Sequence, residues 1–105
     1  MDVQCSVVIT TTATKEEADK LARILLSQRL AACIQVTQIA SYYTWNGAVN
    51  VDDEQILLIK CLAINFPAIE QCIKDNHSYE IPEIIQLPIE AGSPDYLKWI
   101  ADVTQ

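Results

Sequence analysis

Residues 34–62 read IQVTQIASYYTWNGAVNVDDEQILLIKCL, and this stretch decides the fold. Two extended runs, Ile34–Trp45 and Val49–Leu62, flank Asn46-Gly47. Both turn residues tolerate positive φ, which a tight two-residue hairpin requires. The twelve residues of the first run, at ~3.3 Å each, span about 40 Å. A domain of about 100 residues has a radius of gyration of only ~13 Å. A hairpin of that length bends sharply or projects beyond its body. Its tip carries Tyr42, Tyr43 and Trp45, an apolar patch that is costly to leave bare. Along the first run the apolar parity switches from Ile34 and Val36 to Ile39, Tyr43 and Trp45. A one-residue shift moves every side chain to the other face, so a bulge or bend is expected near Thr37-Gln38.

Upstream, Val3–Thr12 alternates as a strand, with Val3, Cys5, Val7 and Ile9 on one side. Thr14-Lys15-Glu16-Glu17 is a capping box. It opens a helix whose apolar stripe is Ala18, Leu21, Ala22 and Leu25, running to about Ala31. Downstream, Asn65 caps a second helix with Pro67 in its first turn, and Ile69, Cys72 and Ile73 face inward. A loop, His77–Glu83, leads to a strand at Ile84–Ile89. Ser93-Pro94 opens a last helix bearing Leu97, Ile100 and Val103. The order is βαββαβ with an added C-terminal helix, an α+β chain of ferredoxin-like type in a single domain over residues 1–105. Ile56, Leu57, Leu58 and Ile59 run without alternation, as do Val7, Val8 and Ile9. Helices of such a fold cover one sheet face, so a second subunit is expected on the other.

Composition narrows the function. The formal charge is −7, from 7 Lys and Arg against 14 Asp and Glu, which argues against nucleic acid as a partner. No run approaches the ~20 apolar residues of a membrane span. Met1-Asp2-Val3-Gln4 shows no basic start followed by an apolar stretch, so a cytoplasmic location is expected. Cys5, Cys33, Cys61 and Cys72 form no C-x-x-C pair and sit in apolar stretches, so reduced core thiols are expected. G-x-S-x-G and Gly-rich phosphate loops are missing, and the chain has two glycines in all. The expectation is a protein that is not an enzyme. The enzyme alternative, of dimeric α+β-barrel type, would need His77 with Glu80 or Glu83 as its titratable pair.

Four short motifs stand in fixed order: Arg29-Leu30-Ala31-Ala32-Cys33-Ile34, Tyr43-Thr44-Trp45-Asn46-Gly47, His77-Ser78-Tyr79-Glu80-Ile81-Pro82-Glu83 and Tyr96-Leu97-Lys98-Trp99. Together they resemble the CutA family of divalent-cation tolerance proteins, from about Val7 to Trp99. The resemblance implies a homotrimer whose sheets pack edge to edge about a three-fold axis, with hairpins joining neighbours. It implies a role in divalent metal response and a cleft near the subunit boundary lined by the His77–Glu83 motif. Trimers of this design also look like PII signalling proteins, which bind small molecules between subunits.

Family members described as copper-binding use a Cys at the end of strand one and two adjacent His before the Tyr/Pro turn. The matching positions here are Thr10, Asn76 and His77, and His77 alone keeps a good copper donor. Weak binding of Cu²⁺ or another divalent cation, centred on His77 with Asn76, Thr10, Glu80 and Glu83, is the expectation. Asp52-Asp53-Glu54 reads as a solvated, edge-protecting run, or alternatively as a cation site or a salt-bridge partner across a subunit contact. Lys60, in an apolar strand, is expected to snorkel or pair with an acid.

Overall fold

The computed structural model describes residues 3–105; Met1 and Asp2, part of the N-terminal reading above, lie outside it. Strand β1 is Cys5–Thr12, helix α1 Lys15–Ser27, β2 Cys33–Trp45, β3 Ala48–Leu62, α2 Phe66–Asp75, β4 Ile84–Pro88 and α3 Pro94–Val103. A short 3₁₀ turn, Ala63–Asn65, leads into α2. The sheet order is β2-β3-β1-β4, antiparallel at every pairing. This is the split βαβ arrangement expected from the element order.

Helix α1 starts where its cap sits: Thr14 Oγ1 accepts the Glu17 N–H at 3.1 Å. It ends at Ser27, four residues before the expected end. Arg29 adopts φ 57°, and the Leu30 N–H turns back to the Leu25 carbonyl. A left-handed residue cannot continue a right-handed helix. Asn65 stands at the start of α2 as expected but does not cap it with its side chain; its amide donates to the Gln105 carbonyl instead.

The core lies between the sheet and the pair α1 and α2. Val8, Leu57, Ile59 and Cys61 meet Leu21, Leu25, Ile69 and Ile73 there. The helix-facing side of β1 is therefore Ser6, Val8, Thr10 and Thr12, while Cys5, Val7 and Ile9 share the other side. Cys5 is buried all the same, because α3 packs on the other side of the sheet. Cys5, Leu62 and Ile100 form a second, smaller cluster. Helices thus reach both faces, contrary to the one-sided expectation, but α3 covers only part of the second. Ile85, Leu87 and Trp99 remain exposed. Lys60 finds no carboxylate among the described residues; its ammonium lies 5.6 Å from the Tyr96 ring centroid, a cation–π contact.

The hairpin turns at Asn46 and Gly47, both with positive φ, as a primed turn demands. Pairing is continuous from Cys33↔Lys60 to Trp45↔Ala48, with no bulge at Thr37-Gln38. The parity switch has another cause. Near the body, Ile34 faces the α1 side and packs on the core. Strand β1 ends opposite Gln55, so beyond it the two strands pair only with each other. There the ribbon has left the helical layer, and Ile39, Tyr43 and Trp45 lie on its opposite face. The seven pairs from Ile39↔Glu54 outward make about 23 Å of two-stranded ribbon. The molecule is accordingly 48 × 26 × 22 Å.

All four cysteines are free. Burial raises the thiol pKa of Cys5, Cys61 and Cys72, which suppresses the reactive thiolate. Cys33 is half-buried. Alkylation of denatured, unreduced protein is expected to add four labels, and brief labelling of the folded protein to mark Cys33 first. Mass spectrometry reads both; two or fewer labels after denaturation would mean a bridge.

Candidate functional site

At the root of the ribbon, the loop after α2 folds back against the end of β1. His77 sets its position. The ring has a fully buried side chain. Nε2–H donates to the Thr11 carbonyl at 2.6 Å, and Nδ1 accepts the Tyr79 N–H at 3.0 Å. That pair of bonds assigns the neutral Nε2–H tautomer. Glu17 holds the next residue, accepting from the Ser78 N–H at 2.8 Å and the Ser78 hydroxyl at 3.0 Å. The capping-box glutamate therefore serves the loop.

Thus fixed, Tyr79 packs against His77 with ring centroids 4.8 Å apart and planes tilted by 52°, and donates its hydroxyl to Glu54 Oε2 at 2.7 Å. Across the ribbon, Tyr43 donates its hydroxyl to Asp52. Between ribbon and loop lies a cavity of about 630 Å³, walled by Tyr43, Trp45 and Tyr79 and by the carboxylates Asp52, Glu54 and Glu83. Glu80 reaches the same cavity. No lysine or arginine lines it. The local charge shows in the titrating groups. Burial, then the hydrogen bond to Glu54 and the nearby negative charges, hold the Tyr79 phenol far above its ordinary value. The bond to Asp52 is the main cause of the same direction at Tyr43. Partial desolvation, then the Glu54 charge, raise the Glu83 carboxyl.

None of the positions that the resemblance assigns to copper lines this cavity. Thr10 Oγ1 is buried on the helix-facing side of the sheet without a partner. Asn76 ends α2 and gives its amide to the Cys72 carbonyl at 2.8 Å. His77 has both nitrogens engaged, so a cation could take one only by breaking a hydrogen bond. Among the described residues, no three His, Cys, Asp or Glu side chains converge on a metal position. One imidazole beside neutral oxygen donors is a poor set for copper, which prefers several nitrogen or sulfur ligands.

Of the acidic run, Asp52 and Glu54 face the cavity, while Asp53 points to the other side of the ribbon. Sequence reasoning passed over Glu17 as a loop anchor and the Tyr43–Asp52 pair as a wall. The second was within reach. Once Asn46-Gly47 is the turn, positions 43 and 52 are diagonal neighbours on one face.

A split βαβ sheet with a projecting ribbon and a phenol–carboxylate cleft at its root defines the class: an α+β protein of ferredoxin-like topology. Comparison supplies the family. The chain belongs to the CutA1 divalent ion tolerance protein family, whose model matches residues 6–103. It is 38% identical over 99 residues to the divalent-cation tolerance protein CutA of Thermus thermophilus, covering 93% of this chain and 96% of that one. It is 37% identical over 101 residues to mouse protein CutA, covering 95% of this chain. There it spans only 57% of the relative's length, and 56% for the chloroplastic rice protein CutA 1. The crystal structure of CutA1 from Oryza sativa superposes with a TM-score of 0.95 at 38% identity, covering 98% of this chain and 95% of that chain. The periplasmic divalent cation tolerance protein CutA from Archaeoglobus fulgidus gives 0.94 at 31% identity, covering 96% and 99%.

Proposed function

We propose that this chain is a non-enzymatic homotrimer that acts in tolerance of divalent cations, copper among them, in the cytoplasm. Family membership over residues 6–103 carries the reading. The trimer is supported by an apolar sheet face that α3 leaves partly bare and by a ribbon with no layer beneath it. The cytoplasmic setting is supported by four unpaired cysteines, since thiols persist where the medium is reducing. No helix among the described residues is long and apolar enough to cross a membrane. Cation contact at His77, Asn76, Thr10, Glu80 and Glu83 would be weak, because the geometry gives no chelate. The test is complementation. A bacterial strain lacking its own CutA gene should recover growth in Cu²⁺ when it expresses this chain. Growth no better than with an empty vector, at matched expression, would sink the reading.

A second reading has one observation in its favour. The cavity beside the ribbon has the volume of an organic ligand, within the usual range of roughly 300–1,000 Å³. On this reading the protein is a PII-like sensor whose ligand sits in that cleft, with a neighbouring subunit closing it.

A further inference from the structure

We infer that the cleft between the ribbon and the 78–83 loop binds an organic ammonium ion, a positively charged amine carried on an apolar body. The inference rests on the cleft being a ligand site and names the ligand's chemical class. Three observations carry it. The first is unbalanced charge. Asp52, Glu54 and Glu83 line the cleft, and no Lys or Arg does. Four of the chain's seven lysines and arginines are engaged elsewhere: Arg23 with Asp19, Lys74 with Glu70, Lys98 with Asp102, and Lys60 over Tyr96. Two of the lining carboxylates already accept phenol hydroxyls, which leaves each with acceptor capacity facing the cavity.

The second observation is aromatic. Tyr43 and Tyr79 line the cleft beside those carboxylates. Aromatic rings attract ammonium groups and reward an attached apolar body with buried area. A hydrated metal ion gains little from them. The third is spacing. The acidic groups are spread along a cavity of about 630 Å³ and no three converge on a point. A bare divalent ion needs several oxygens at 2.0–2.6 Å. An ammonium needs only hydrogen bonds to one or two carboxylates, with the rest supplying field. The cleft is thus too open to chelate and well suited to an organic cation.

The experiment is a calorimetric titration of the full chain at low salt with benzylamine, benzyltrimethylammonium, benzyl alcohol, benzoate and Mg²⁺. The aromatic amines should bind with Kd on the order of 1 mM or tighter. Benzyl alcohol should bind at least tenfold more weakly, and benzoate and Mg²⁺ more weakly still. NMR should show the amines shifting the ring signals of Tyr43 and Tyr79. Glu54→Gln should reduce amine affinity about tenfold. Because Glu54 is buried and its loss can disturb folding, Glu83→Gln, an exposed position, is the second variant and should reduce it severalfold. Asp102→Asn, on α3, should leave it unchanged. Equal binding of benzyl alcohol or benzoate overturns the ammonium assignment and keeps the cleft as a ligand site. Binding of Mg²⁺ alone overturns it in favour of a bare cation. No binding by any probe removes the assignment and the cleft reading together, while complementation in Cu²⁺ would still stand by itself.

Discussion

Replacing His77 by alanine is expected to cost about 3 kcal/mol of folding stability, a larger effect than the loss of an already weak cation contact. The imidazole bridges two backbone groups, the Thr11 carbonyl and the Tyr79 N–H. Truncation leaves both without a partner in a buried setting, and each unsatisfied group costs about 1–3 kcal/mol. The lost ring contact with Tyr79 adds to this, and water entering the space offsets part of it. Urea unfolding of wild type and His77→Ala measures the difference, with Cu²⁺ titration of both in parallel. A stability change within about 0.5 kcal/mol, the range of ordinary surface substitutions, would overturn the anchoring role. Loss of Cu²⁺ binding without loss of stability would return His77 to the position of metal ligand.

Trp45→Ala is expected to dissociate the assembly at concentrations where Trp99→Ala does not. The two indoles are almost equally exposed in the single chain, at 45% and 41%, so exposure does not separate them. Their supports differ. Trp99 lies 5.6 Å from Tyr96 on a helix pinned by the buried Ile100. Trp45 stands at the last pair of a two-stranded ribbon, and such a ribbon is marginal in water without a surface to cover it. Docking on a second and third copy would supply that surface. Truncating a buried large aromatic costs about 3–5 kcal/mol, and each trimer would lose three such contacts. Sedimentation should give wild type about three times the chain mass of 11.7 kDa. Trp45→Ala should shift toward monomer on dilution. A wild-type monomer, or a mutant trimer as tight as wild type, would refute the docking role.

Much of the fold was legible because its signals are local. Asn46-Gly47 announced the turn, Thr14 the start of α1, and alternation most strand positions. What was misread depends on which layer lies above a given strand. Alternation puts Cys5, Val7 and Ile9 on one side of β1, but it does not say which helices cover which side. Yet the small polar side chains face α1 and α2, and Cys5 is buried by α3 on the opposite side. The bulge was inferred from a change of apolar face that came from the ribbon leaving the body. Nothing within strand β2 distinguishes those two causes. At the site, the His77–Glu83 motif was recognisable as a unit. Its partners were not, since Glu17 and Glu54 lie 61 and 25 positions away from the groups they bind. The role of His77 as a clamp on backbone also escaped the sequence, because a lone imidazole looks the same whether it holds a loop or a metal.

The unbroken pairing from Cys33 to Trp45 makes the ribbon a ruler with a two-residue graduation. Side chains alternate faces, so removing one residue from each strand beyond Ile39 would carry the outer pairs to the wrong side, Tyr43 and Trp45 among them. Removing two from each would restore the facing and shorten the arm by about 7 Å. Length in this arm is therefore quantised. Any relative that reaches farther or less far while keeping an aromatic at the tip and a phenol facing the cleft must differ by an even number of rungs.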